Sequence, residues 1–182
     1  YENLQVQKSS DRYQYILPYY NYSKSIDVSN IGAIEFSSSG SNNLIETNNL
    51  ESNIINNINY KIVDQISNTY GFKNNLGVYF KNLNTVAKNN NKYKSSPQME
   101  LMNIIEINSS LPLGKTNSES EYLLEPKISL RINPGDMKNY KSTKRIINAD
   151  NIFDVNRLGL SDSFESGKSL TMGINYKKTN LE

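Results

Sequence analysis

The feature that most constrains this chain is an alternation with a period of two. From Tyr122 to Ile132 the even positions are Tyr122, Leu124, Pro126, Ile128, Leu130 and Ile132, while the odd positions after Leu123 are Glu125, Lys127, Ser129 and Arg131. Side chains on a strand point to opposite faces in turn, so this pattern makes a strand with one apolar and one polar face; a helix would repeat near 3.6. The same parity returns where Leu170, Met172, Ile174 and Tyr176 alternate with Ser169, Thr171, Gly173 and Asn175. Weaker versions set Ile54, Ile58, Tyr60 and Ile62 against Asn57, Asn59 and Lys61, and Leu76, Val78 and Phe80 against Gly77, Tyr79 and Lys81. Tyr13 to Tyr22 and Ile31 to Ser38 are further candidates, and Met99 to Ser110 keeps the parity except at Ile104. Leu44 to Asn57 is ambiguous on periodicity, and no stretch has a helical face with caps at both ends. The expected fold is therefore all-β, with about eight strands of roughly 9 to 11 residues, the length that crosses a bilayer at a tilt.

The connections sharpen that expectation. Ser23 to Asn30 reads as short, Ser39 to Leu50 as longer, Gln65 to Tyr70 as short, Leu83 to Ser96 as longer, Leu113 to Ser120 as short, and Asn133 to Ser166 as the longest. Short turns on one side and longer loops on the other characterise antiparallel up-and-down transmembrane barrels. A mean hydropathy of −0.64 does not oppose this, because barrel strands average lipid-facing apolar residues with lumen-facing polar ones. The absence of any apolar run of 18 residues or more rules out a transmembrane helix only. The 13 Tyr, against 5 Phe and no Trp, suit an interfacial girdle where they fall near strand ends, as at Tyr13, Tyr22 and Tyr60; for any one of them taken singly, ordinary sheet packing is the favoured reading. Alternating strands with Gly and Asn turns also describe a soluble β-sandwich or a β-solenoid.

Several chemistries lack their residues. The chain has no Cys and no His, which removes disulfides, thiol nucleophiles, the usual zinc sites and any His-based triad. A net charge of +2 with scattered Lys gives no basic stripe for nucleic acid. Asp150 and Asp162 do not fit an EF-hand spacing, Glu119 and Glu121 read as solvated turn residues, and Asn89 to Asn91 read as loop, so no catalytic residue, metal or cofactor is expected. The opening on Tyr1, without an initiator Met or signal segment, and the stop at Glu182 in a polar run lead us to expect that residues 1 to 182 are an interior fragment of one barrel domain. Two open edges would leave backbone groups unpaired in lipid at several kcal/mol each, so such a piece should not insert alone.

Three stretches carry a family resemblance. Leu124-Glu125-Pro126-Lys127 opens an alternating strand; Asn148-Ala149-Asp150-Asn151-Ile152-Phe153-Asp154-Val155-Asn156-Arg157-Leu158-Gly159-Leu160-Ser161-Asp162 follows; then comes Glu165-Ser166-Gly167-Lys168-Ser169-Leu170. In order and spacing these resemble the barrel of the lipopolysaccharide-assembly outer-membrane proteins, the LptD (OstA) family. Asp11-Arg12-Tyr13 with Tyr15-Ile16-Leu17-Pro18, and Leu111-Pro112-Leu113, fall where that family has an aromatic-Leu-Pro strand and the turn before its Glu-Pro strand. Many members have an aromatic residue where this chain has Leu158, and their glycine stands one place after Gly159.

The resemblance implies a Gram-negative outer-membrane segment of a lipopolysaccharide translocon, with lipopolysaccharide, a plug lipoprotein (LptE-like), a periplasmic bridge protein (LptA-like) and outer-membrane lipid as partners, and with the periplasmic jelly-roll domain absent from these residues. The motif residues are Asp150, Asn151, Phe153, Asn156, Arg157, Gly159, Asp162, Glu165 and Gly167. Of these, Asp150, Asn156, Arg157 and Asp162 are expected to form a hydrogen-bonded plug over or in the barrel mouth. Glu125, Lys127 and Arg131 either line a hydrated lumen, meeting sugar hydroxyls or phosphates, or form ion pairs on a solvated sheet face. An unrelated outer-membrane pore or adhesin, or a soluble β-rich binding module, remains a competing class.

Overall fold

A computed structural model describes residues 2–3, 13–29, 31–45, 48–67, 69–136 and 146–181. Wherever the sequence alternates, the backbone is extended: β1 (Glu2–Asn3), β2 (Tyr13–Val28), β3 (Gly32–Ile45), β4 (Asn49–Ile62), β5 (Gln65–Ile66), β6 (Lys73–Lys88), β7 (Gln98–Ser110), β8 (Leu113–Thr116), β9 (Ser120–Asn133) and β10 (Gly167–Asn180). The sheet order is β1-β2-β3-β4-β6-β7-β9-β10, with β5 added to β6 and β8 to β9. This is an antiparallel up-and-down sheet, all-β among the described residues. It is also open there, since no pairing joins β1 to β10.

Two expectations need correction. The seven long strands run 13 to 16 residues, beyond the predicted 9 to 11. They consume residues assigned to loops, so the connection 46–48 is as brief as 29–31 and the connection 63–72 is as extended as 89–97. The short-long contrast survives only between 111–119, which itself carries β8, and 134–166. The cause lies in Ser39–Ile45 and Asn49–Asn53. Their polar residues fall on both faces, which erases the alternation, yet the segments pair as a hairpin and Asn53 Nδ2 donates to Ser41 Oγ at 3.3 Å. Glu121 likewise lies within β9 rather than on the turn. The Asp11-Arg12 pair and residues 137–145 of the long connection fall outside the described residues.

The chain divides into two compact units. One comprises Tyr1–Ile26, Glu35–Asn59 and Phe80–Met102. Here Asn89 and Asn90 pin the 89–97 connection to the β3–β4 hairpin: Asn89 Nδ2 donates to Asn48 Oδ1 at 2.8 Å and Asn90 Nδ2 to Asn49 Oδ1 at 3.1 Å. Lys92 pairs with Glu51 at 3.3 Å and lies 4.8 Å from the centre of the Tyr93 ring. Burial works against the Lys92 ammonium, but Tyr93 and Glu51 outweigh it and hold its pKa above the ordinary 10.5. On the even-numbered face a chain of side-chain hydrogen bonds crosses four strands, from Tyr20 through Ser38 and Asn56 to Asn82 and Asn84. Exposed Ile54, Ile58 and Phe80 share that face.

The second unit comprises Asp27–Ile34, Tyr60–Tyr79 and Asn103–Glu182. Its β9 and β10 pair along their whole length, Lys168 opposite Ile132 and Lys178 opposite Tyr122, and β7 continues the rows from Ile105 opposite Ile132 to Ser110 opposite Lys127. The parity read from the sequence is the parity of the faces. Ile107, Leu130 and Leu170 form one row and Leu113, Leu124 and Tyr176 another, all exposed. Glu106, Arg131 and Ser169 form a row on the opposite face. Ile104, the residue that broke the alternation, lies on this covered face and is wholly buried.

Candidate functional site

The covered face of β7, β9 and β10 carries a cluster of polar residues beside the apolar Ile104. Glu106, Ser129, Arg131, Asn133 and Thr171 are all buried there. Charged and amide groups removed from water need partners, because an unpaired one costs several kcal/mol. The partner comes from the connection that follows β9. Glu165 reaches Arg157 through two bonds, Nε to Oε2 at 2.9 Å and Nη2 to Oε1 at 2.5 Å, the fork geometry in which a guanidinium and a carboxylate match best. Its Oε2 also lies 3.7 Å from Arg131 Nη1. The Glu165 carbonyl accepts from Arg131 Nη2 at 2.8 Å and from Asn133 Nδ2 at 2.9 Å.

One carboxylate thus answers two arginines, of which Arg131 is 3% exposed. Glu106 stands across the strand pair from Arg131 and accepts from Tyr79 Oη at 3.5 Å.

The rest of 146–166 is shaped to lie against this face. Asn156 folds the chain back, its Oδ1 accepting from Leu160 N at 2.9 Å and its Nδ2 donating to Leu160 O at 2.7 Å. Gly159 sits inside that turn with φ of 59°, a backbone conformation that glycine adopts without Cβ strain. Leu160, Asp162, Ser163 and Phe164 are buried. Phe153 meets β10 at Gly173, where an added Cβ would stand 2.9 Å from the ring; the glycine is what lets the ring approach the sheet. Gly167 opens β10 with φ of 95°.

The structure sorts the predicted residues. Arg157, Asp162, Asn156 and Glu165 belong to the packed segment, with Arg131 beneath it. Asp150 stands apart and exposed, its backbone N–H bound to Asn148 Oδ1 at 3.0 Å, with Asn151 in the same turn. Glu125 and Lys127 pair with each other at 3.2 Å along one strand rather than across strands. Sequence reasoning named Arg131, Arg157 and Glu165 without joining them, since a pairing across loop and strand leaves no periodic trace. It did not single out Glu106, Tyr79 or Asn133.

The face also carries a cleft of about 330 Å³ between Lys73, Asn75, Asn108, Lys127 and Phe153. Lys73 pairs with Asp64 at 3.3 Å, and Asn75 Nδ2 donates to Asp64 Oδ1 at 3.0 Å. The Asn75 bond, acting against the modest cost of burial and helped by Lys73, holds the Asp64 carboxyl below its ordinary pKa of 3.8.

The exposed face offers the opposite chemistry. Leu170, Met172, Ile174 and Tyr176 are 59 to 69% exposed. Lys178 ends their row, 5.7 Å from the centre of the Tyr122 ring, and Lys168 stands at the other end. A contiguous apolar surface of this kind marks a contact with lipid or protein. No family model matches the chain, and neither a curated protein nor a solved structure matches it.

Proposed function

We propose that this chain is a stretch of an outer-membrane β-barrel in which the even-numbered positions of β9 and β10, with Ile105 and Ile107 of β7 beside them, face lipid, while the opposite face of these strands, where Glu106 and Arg131 lie, borders a hydrated interior occupied by residues 146–166. The observation that carries this reading is the inverted distribution in β9 and β10: Arg131, Ser129 and Thr171 are buried while Leu170, Met172 and Ile174 are exposed. A water-soluble sheet buries its apolar face. In a bilayer the preference reverses, apolar residues facing the acyl chains and polar ones the lumen.

Dimensions support it as well. At ~3.3 Å per residue the stretch from Lys168 to Lys178 is about 33 Å long, which at a tilt of roughly 40° crosses about 25 Å, the height of the apolar band of such barrels. The Tyr122, Tyr176 and Lys178 group suits the headgroup level.

The cargo reading rests on the resemblance at 124–127 and 148–170 to the lipopolysaccharide-assembly proteins. On that reading the chain is a non-catalytic part of a translocon delivering lipopolysaccharide to the outer leaflet, with plug-lipoprotein and bridge-protein partners. Depletion of the protein in its host should then leave lipopolysaccharide in the periplasm. Unchanged surface lipopolysaccharide would replace this cargo with the pore or adhesin reading, and recovery of the native protein in the soluble fraction would contradict the membrane location itself.

A further inference from the structure

The cleft beside Phe153 has an unusual balance of groups for its size. Lys73 and Lys127 are cationic, but each is matched by its own carboxylate, Asp64 at 3.3 Å and Glu125 at 3.2 Å. Their charges cancel. A phosphate or carboxylate ligand is anionic and mainly accepts hydrogen bonds, so it is held best by a surplus of positive donors, which these two matched ion pairs do not supply.

The same groups suit a ligand that donates and accepts at every position. A carboxylate has about four lone-pair sites and an ammonium three donors, so each ion pair keeps unused capacity of both kinds. Asn75 and Asn108 add amides to the lining, Asn108 Nδ2 donating to Asn75 Oδ1 at 3.1 Å and Asn75 Nδ2 to Asp64 Oδ1 at 3.0 Å. Phe153 forms an aromatic wall held against β10 at Gly173, and a ring's negative face attracts polarised C–H bonds. The volume of about 330 Å³ falls at the lower end of small-ligand sites.

From the paired charges, the amides and the aromatic wall we infer that this cleft is a binding subsite for a neutral saccharide of one or two pyranose rings. The inference rests on the covered face of β7, β9 and β10 bordering water, as in the barrel reading, but not on lipopolysaccharide being the cargo. Ligand specificity comes from hydroxyls bridging the two ion pairs, with one ring face against Phe153.

The test is saturation-transfer NMR on the full-length protein purified from its host membrane, with maltose, lactose and, separately, inorganic phosphate as probes. The expected result is saturable binding of at least one disaccharide at millimolar concentration, little or none of phosphate, a loss of about tenfold or more in affinity (~1.4 kcal/mol) in Phe153→Ala, and retention in Phe153→Tyr, which keeps the ring. Binding of neither disaccharide, tighter binding of phosphate, or disaccharide affinity unchanged in Phe153→Ala would each overturn the subsite. If Phe153→Ala does not fold, Asn108→Ala replaces it with the same expectation. Failure of the subsite leaves the lipid contact of the even-numbered face untouched, because labelling of that face tests it separately.

Discussion

Leu130 and Arg131 are neighbours in the chain, yet the leucine is 37% exposed and the arginine 3%. The same inversion separates Met172 from Thr171 on the partner strand. The backbone, pairing and register are common to both faces, so what differs is the surroundings each face is made for. One face carries buried polar groups and receives a segment of the chain whose Glu165 pairs with both Arg131 and Arg157. The other is apolar and receives nothing from the described residues. The polar face meets most of its needs within the chain, Arg131 Nε and Ser169 Oγ excepted, whereas the apolar face is left for a lipid or protein contact, and the barrel reading assigns it to lipid.

The sharpest way to break the polar side of this comparison is Glu165→Ala. It leaves Arg131 and Arg157 facing each other without their carboxylate, and breaking a buried pair from one side costs about 3 to 5 kcal/mol. We expect 146–166 to detach, seen as new proteolytic cleavage within it and a matching loss in unfolding free energy. An effect near zero would mean that the segment is not held by this carboxylate.

A charge placed on the other face separates lipid from water. In a bilayer Ile174→Arg should cost about 2 to 4 kcal/mol near the midplane, whereas an exposed position in water would change stability by no more than about 0.5 kcal/mol. Refolding titrations into vesicles read the difference, with Asn175→Arg as the neighbouring control on the opposite face.

Gly173→Ala probes how closely the segment seats. Its Cβ would stand 2.9 Å from the Phe153 ring, and overpacking of this kind costs roughly 1 to 3 kcal/mol. The expected readout is faster proteolysis at 151–154 without loss of the sheet.

The smallest effect is that of pH at Asp64. Its folded pKa lies below the ordinary 3.8, so the folded state keeps the charge where the unfolded chain already binds a proton. The contribution is full above that ordinary value and is lost as pH falls through the lowered one. The pair with Lys73 is largely exposed, which limits it to about 1 kcal/mol or less. Asp64→Asn should flatten this part of the acid limb of the stability curve, and an unchanged limb would remove Asp64 from the account.

Much of the architecture was legible in the sequence. The alternation in 122–132 and 169–177 marked β9 and β10 and assigned their faces, because large apolar residues on every second position leave one arrangement. The ends of β3 and β4 were not legible, since Ser and Asn on both faces carry no period and read as loop, although hairpin pairing keeps them extended. The Tyr20 to Asn84 chain was hidden for the same reason: its members are ordinary polar residues whose partners lie one or more strands away. At the site, residue types were legible and partnerships were not. Arg131, Arg157 and Glu165 were all singled out, but only the return of 146–166 onto β9 brings them together.

In the barrel reading the even-numbered face of β10 meets lipid. Residues 1 to 182 contain no cysteine, so single cysteines from 169 to 176, each carrying a spin label in a full-length protein with any cysteine outside this stretch replaced, report position by position in the membrane. The account predicts that labels at 170, 172, 174 and 176 collide preferentially with dissolved oxygen and those at 169, 171, 173 and 175 do not, an alternation of two along the strand. Preferential collision of the even-numbered labels with a water-soluble nickel complex would contradict it.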